Sequence, residues 1–209
     1  MLGQLYDRAL DGECCWLRHD DGRRHRLPVH SWLGGHGCDT EFDTAVVGLC
    51  EGPTIELGCG PGRLVAHLVR RGIPALGVDQ SATAVRLARR SGAPALMRDV
   101  FEPLPGTGRW QTVLLADGNV GLAGDPRRVL RRAAELLMRG GRCVAEFDPA
   151  VAGVSTSWVR LESLHTIGPW FRWAAVGVDC AAALAEEVGL ALMAIHPIRD
   201  RVVATLALT

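Results

Sequence analysis

From Thr54 onward, short wholly apolar runs alternate with segments whose apolar residues recur every three or four positions. That alternation is how buried parallel strands and their crossover helices are written. Residues 53–57 are expected as a first strand, followed by a turn at 58–62 and a helix whose apolar side carries Leu64, Val65, Leu68 and Val69, closed by Gly72. A second strand is expected at 75–78. Ser81 then caps a helix with Ala84, Val85, Leu87 and Ala88 on its apolar side, and Gly92 and Pro94 end it. Strands are expected at 95–97 and 112–116, separated by the proline- and glycine-rich loop 103–108. Asp125 before Pro126 marks another helix start, with Val129, Ala133, Leu136 and Leu137 on one face and Gly140-Gly141 as the stop. A fifth strand follows at 142–147. The order implies an α/β, Rossmann-like, doubly wound sheet with its ligand-binding turns at the carboxyl edge of the strands.

The two ends of the chain depart from this rhythm. Residues 179–188 are expected as a helix, and 191–198 with 202–208 as an antiparallel hairpin turning at 199–201. The sheet is therefore mostly parallel with an antiparallel carboxyl-terminal pair. Before the core, 14–17 and 24–29 flank Asp20-Asp21-Gly22 as a small hairpin that covers the site. The segment 151–177 interrupts the fold after the fifth strand and concentrates three of the six tryptophans. The chain thus divides into an amino-terminal cover (1–50), a core (51–149), a cap (150–178) and a terminal helix with hairpin (179–209), all within one domain.

Composition narrows the reading. A length of 209 residues with 48% hydrophobic and 22% charged residues suits one buried core. The 23 basic residues, all arginines, balance 23 acidic ones, which removes the global electrostatic case for a nucleic-acid or membrane partner. The opening residues lack the apolar run of a signal peptide, and no stretch matches a membrane span, so a cytoplasmic location is expected. The seven cysteines include no CxxC pair, and His30, His36 and Cys38 lack a partner pair at finger-like spacing; neither a disulfide framework nor a metal site is expected.

The chemistry concentrates in Glu56-Leu57-Gly58-Cys59-Gly60-Pro61-Gly62, between a strand and a helix. Glycines there allow unusual backbone angles and let amides approach a ligand at a helix start. A dinucleotide fingerprint, G-x-G-x-x-G, would need a third glycine where Arg63 stands, so the spacing disfavours a nicotinamide cofactor. The acidic residue followed by glycines at 58, 60 and 62 resembles the first motif of class I S-adenosylmethionine-dependent methyltransferases, and Tyr6-Asp7 resembles the start of that family's small-molecule members. The resemblance implies S-adenosylmethionine as cofactor, S-adenosylhomocysteine as product, and the seven-stranded sheet of that family. It further implies that Asp79, with Gln80 beside it, receives the ribose hydroxyls, and that Asp99 and Val100 receive the adenine. Asp117-Gly118-Asn119 then lies beside the amino-acid end and methyl group, and Tyr6 faces the sulfonium from an amino-terminal helix. Cys59 is expected as a small packing residue of the turn.

Asp117-Gly118-Asn119-Val120 is not the Asn/Asp-Pro-Pro-aromatic motif of many DNA and protein methyltransferases, which points to a small-molecule acceptor. Trp158, Arg160, Trp170, Phe171, Arg172 and Trp173 in the cap supply apolar walls and two guanidiniums for that acceptor. His165 is the candidate base, with Glu146 and Asp148 at the end of the fifth strand as further candidates to touch the acceptor. Three alternatives stay open: a non-enzymatic S-adenosylmethionine-binding module, an NAD(P)-dependent oxidoreductase on a similar fold, and other sulfonium chemistry.

Overall fold

The computed structural model describes residues 2–34 and 40–209. The chain opens with α1 (Leu2–Leu10), a hairpin of β1 (Trp16–His19) and β2 (Arg24–Arg26), and helices α2 (Val29–Trp32) and α3 (Thr40–Leu49). The core follows as β3 (Thr54–Leu57), α4 (Arg63–Arg70), β4 (Ala75–Asp79), α5 (Ala82–Arg90), β5 (Ala95–Met97), β6 (Trp110–Leu115), α6 (Pro126–Leu136) and β7 (Leu137–Phe147). Then come β8 (Val154–Glu162), β9 (Phe171–Val176), α7 (Ala181–Glu186), β10 (Leu190–Ile198) and β11 (Arg201–Leu208).

Seven strands form one sheet in the order β10-β11-β7-β6-β3-β4-β5. The five core strands are mutually parallel, while β11 runs antiparallel to β7 and β10 antiparallel to β11. The chain winds outward from β3 first towards β5 and then, from β6, towards β11. The carboxyl ends of β3 and β6 therefore flank the switch point, where a doubly wound sheet opens a crevice.

Local chemistry explains the joints. Ser81 Oγ accepts the Ala84 amide at 2.9 Å and Asp125 Oδ1 that of Arg128 at 3.0 Å, so each satisfies an otherwise orphaned donor at a helix start. The expected helix stop at Gly140-Gly141 is instead strand: the chain leaves α6 at Leu136 and runs directly into β7, with both glycines inside it. The apolar faces assemble as the alternation requires. Ile55, Leu57, Val113 and Leu115 pack against α6 and α7 on one side, and Leu114 and Val144 pack with Phe42, Val46, Leu64 and Leu68 on the other. Fully burying each such side chain contributes roughly 1.5–3 kcal/mol.

The cap does not form a layer of its own. Its two strands join the amino-terminal hairpin in a four-stranded antiparallel sheet, ordered β2-β1-β8-β9. Leu17, Leu161 and Phe171 on one face of this sheet pack against Leu5 and Ala9 of α1. Gly121, in the short 3-10 turn after β6, fits against β9 because a Cβ there would lie 1.8 Å from the Ala174 carbonyl oxygen.

Candidate active site

The glycine turn sits at the carboxyl end of β3. Gly58, Gly60 and Gly62 hold φ of 76°, 52° and 79°, a left-handed conformation that a side chain resists. Gly62 has a second reason: a Cβ there would meet Ala88 Cβ at 2.7 Å and Ala93 Cβ at 2.9 Å. Asn119 Nδ2 donates to the carbonyls of Leu57 (3.1 Å) and Gly58 (2.8 Å), clipping the loop after β6 onto the turn. Cys59 is buried against Gly77, and burial pushes its thiol well up, so it packs rather than attacks.

Two carboxylates lie behind this turn. Glu56 is 3% exposed, and its Oε2 has no hydrogen-bond partner. Burial, reinforced by the nearby Asp117 and Asp79 carboxylates, raises its acid well above the ordinary glutamate range. Asp79 ends β4 and accepts the Gly60 amide at 2.9 Å and the Ser81 amide at 2.8 Å. Burial still raises its acid against those two bonds. A carboxylate has about four acceptor positions, so Asp79 retains capacity for a ligand. Gln80 beside it is exposed; Asp99 is exposed and accepts the Phe101 amide at 2.9 Å; Val100 is buried in the core.

The helix α1 closes over this edge. Tyr6 brings its hydroxyl beside Gly60, whose Cβ would lie 3.1 Å from it, and its ring lies 5.7 Å from that of Trp32. Burial, then the Asp79 charge, raises the phenol well above its usual value, so it stays neutral. Asp7 accepts the Ser81 hydroxyl, and Asp11 pairs with Arg86 at 3.1 Å; α1 is thereby fastened to α5.

A chain of charges crosses the loop after β6. Asp117, at φ 52°, receives Arg201 Nη2 at 2.8 Å on one oxygen and Arg63 Nη2 at 2.9 Å on the other. Its own amide donates to Glu146 Oε2 at 2.6 Å. Arg201 also grips both oxygens of Glu146, at 2.7 and 2.6 Å, and lies 3.4 Å over the Phe42 ring, while Arg63 pairs with Asp43. Burial raises the Glu146 acid despite the Arg201 pair.

Beside this network is a cavity of about 320 Å³ whose lining includes Gly118, Glu146, Phe147, Asp148, Trp173 and Arg201. The expected acceptor residues divide at this point. Trp173 lines the cavity, with its ring next to Gly118, and Glu146 lines it as well. Phe171 is instead packed against the α1 cluster. Trp158, Arg160 and Arg172 do not line the cavity, because alternation along β8 and β9 turns them to the face opposite Trp173 and Phe171, and Trp170 stacks there on Arg160. His165 is not in the lining either. It lies on the exposed β8–β9 turn, its amide on Ser163 Oγ at 3.3 Å, and the turn packs on α1 through Arg8 and Thr166.

Arg63, Arg201 and Asp43 were not expected here. A cation at the first position of α4 opposes the helix dipole, a signal that Arg63 is held by something else. Nothing local marks Arg201. His36 and Cys38 lie outside the described residues, and among the described residues no His, Cys, Asp or Glu group is arranged for a metal.

Comparison with known proteins gives two findings. Residues 55–141 match the family model described as a methyltransferase domain. Among solved structures, the chain is similar over its full length, and over 94% of the other, to an S-adenosylmethionine-dependent methyltransferase from Bacteroides fragilis in complex with S-adenosylhomocysteine (TM-score 0.82, 15% identity). It is also similar to the Burkholderia thailandensis 1,6-didemethyltoxoflavin N1-methyltransferase (TM-score 0.63, 17% identity, 87% of this chain and 85% of that one). A third likeness is to a sugar N-methyltransferase from Streptoalloteichus (TM-score 0.61, 18% identity, 83% and 90%). The fold is that of these enzymes.

Proposed function

We propose that this chain, whose residues 55–141 match a methyltransferase-domain model, transfers a methyl group from S-adenosylmethionine to a small-molecule acceptor held in the cavity beside Gly118. The observation that carries the reading is the glycine turn at the switch point, with Glu56 buried behind it and its Oε2 without a partner, clipped through Asn119 to the loop whose Gly118 lines that cavity.

The residues fit the cofactor. Glu56 Oε2 and the glycine amides suit its charged amino-acid end, Asp79 its ribose hydroxyls, and Asp99 with Val100 its adenine, while Tyr6 covers it. When bound, the cofactor supplies a methyl group on a positively charged sulfur, already a strong leaving group. The protein's own task is then mainly positioning. Asn119 ties the loop to the turn, and the Arg63–Asp117–Arg201 chain holds Gly118 between turn and cavity. Trp173 and Phe147 give the cavity apolar walls, and Glu146 or Asp148 can take a proton from an acceptor that must lose one.

Small-molecule acceptors in the two named N-methyltransferases support the acceptor class. A bare binding module has no need of the cavity, and a dinucleotide-dependent oxidoreductase would need a third glycine where Arg63 stands. A cytoplasmic location belongs to the same proposal; among the described residues no helix is long and apolar enough to cross a membrane. Incubation with S-adenosylmethionine and a panel of aromatic amines, phenols and amino sugars, read by mass spectrometry, tests the reading. One acceptor gaining a methyl group as S-adenosylhomocysteine accumulates is the expected result; a product carrying any other part of the cofactor would overturn it.

A further inference from the structure

The four-stranded sheet has two unlike faces. Leu17, Leu161 and Phe171 cover one with apolar surface against α1. Alternation sends Trp16, Arg18, Trp158 and Arg160 to the other. The register sets Arg24 beside Arg18, Arg18 beside Arg160, Arg26 beside Trp16 and Arg172 beside Trp158. Five guanidiniums meet two carboxylates there. Glu162 is shared by Arg18, Arg24 and Arg160, and Asp20, at the hairpin turn, accepts the Trp158 amide. The overall neutrality that argued against a nucleic-acid partner averages over this concentration of charge.

The aromatic rings are as telling as the charge. Trp158 is 50% exposed and Trp170 41%. Guanidiniums already stack on their neighbours, Arg24 at 4.0 Å over Trp16 and Arg160 at 4.5 Å over Trp170. Rows of arginine interleaved with tryptophan offer both contacts a single strand needs, cations for its phosphates and flat rings for its unstacked bases.

We propose that this outer face docks single-stranded nucleic acid, with bases stacked on Trp158 and Trp170 and phosphates held by the arginines. The surface lies on the far side of the sheet from the cavity-lining Trp173, so the proposal stands independently of the cofactor reading. An acidic polypeptide would answer the charge but leave the rings without a specific role.

The test is fluorescence anisotropy of a labelled oligothymidylate against the full chain from low to moderate salt, with poly-L-glutamate as competitor. Saturable binding that weakens with salt is expected, with poly-L-glutamate a poor competitor. The double variant Trp158→Ala/Trp170→Ala should bind about tenfold or more weakly with its salt dependence unchanged. Arg26→Gln/Arg172→Gln should instead reduce the slope of log affinity against log salt by about 1.4, roughly 0.7 per phosphate contact. Circular dichroism of each variant confirms folding. No binding at low salt, unchanged affinity in the tryptophan variant, or equally effective competition by poly-L-glutamate would each overturn the proposal.

Discussion

Glu56 and Glu162 are both nearly inaccessible glutamates at strand ends, and they live in opposite electrostatic worlds. Glu56, in the seven-stranded sheet, has carboxylates for neighbours and an oxygen without a partner, so burial holds its acid up. Glu162, in the four-stranded sheet, also feels burial, but hydrogen bonds from Arg18 and Arg160 outweigh it and hold its acid down. A buried carboxyl without a cation beside it is held towards its neutral form and keeps one oxygen open, whereas one surrounded by guanidiniums is held ionised and already satisfied. The comparison separates a carboxyl group with an oxygen left open from one that is internally satisfied.

The largest way to break the first region is steric. Gly62→Val places a branched side chain on Ala88 and Ala93 at φ 79°, and combined overpacking and backbone strain should cost about 3–5 kcal/mol in denaturant unfolding. Asp79→Ala removes the acceptor of the Gly60 and Ser81 amides along with the proposed ribose contact. Its affinity for S-adenosylhomocysteine should fall by roughly 2–3 kcal/mol, a loss of about 30- to 150-fold, read by calorimetry. Arg201→Met strips Glu146 and Asp117 of their shared cation; with Arg201 still 22% exposed, a loss of about 2 kcal/mol in chemical denaturation is expected.

The smallest effect sharpens the contrast instead of breaking it. The Glu56 acid is higher in the fold than in the unfolded chain, so its contribution is most favourable below the unfolded value and is lost as pH rises towards the folded one. The Glu162 acid is lowered, so its contribution is present above the unfolded value and is lost as pH falls through the folded one. Thermal unfolding should show Glu56→Gln gaining on the parent as pH rises above the ordinary glutamate range, and Glu162→Gln gaining as pH falls below it. Parallel profiles for the two variants would contradict the contrast.

The same two regions differ in how far the sequence reveals them. Every core strand was legible because each βα unit is local: a buried run, a cap such as Ser81 or Asp125, and a closing glycine lie within a few residues. Only the β7 start misled, since Gly140-Gly141 imitates a helix stop while serving inside a strand. The small sheet was half legible. Its hairpin turn is local, but the bond from Arg18 to Glu162 spans 144 positions, and no periodicity announces which distant segments will pair. For that reason the tryptophans and arginines of the cap were expected in the acceptor cavity, and register alone sends most of them to the opposite face. At the site, Glu56 and Asp79 were marked by a glycine-rich motif and a strand end. Arg201 was not, because its role arises only when the terminal hairpin returns beside β7.

The central claim, that the turn at 56–62 holds S-adenosylmethionine, is tested most directly by calorimetric titration of the chain with S-adenosylhomocysteine, with NADH as the comparison ligand. Saturable binding of S-adenosylhomocysteine alone, lost or greatly weakened in Asp79→Ala, is the predicted result. Binding of NADH in preference, or of neither ligand, would contradict it.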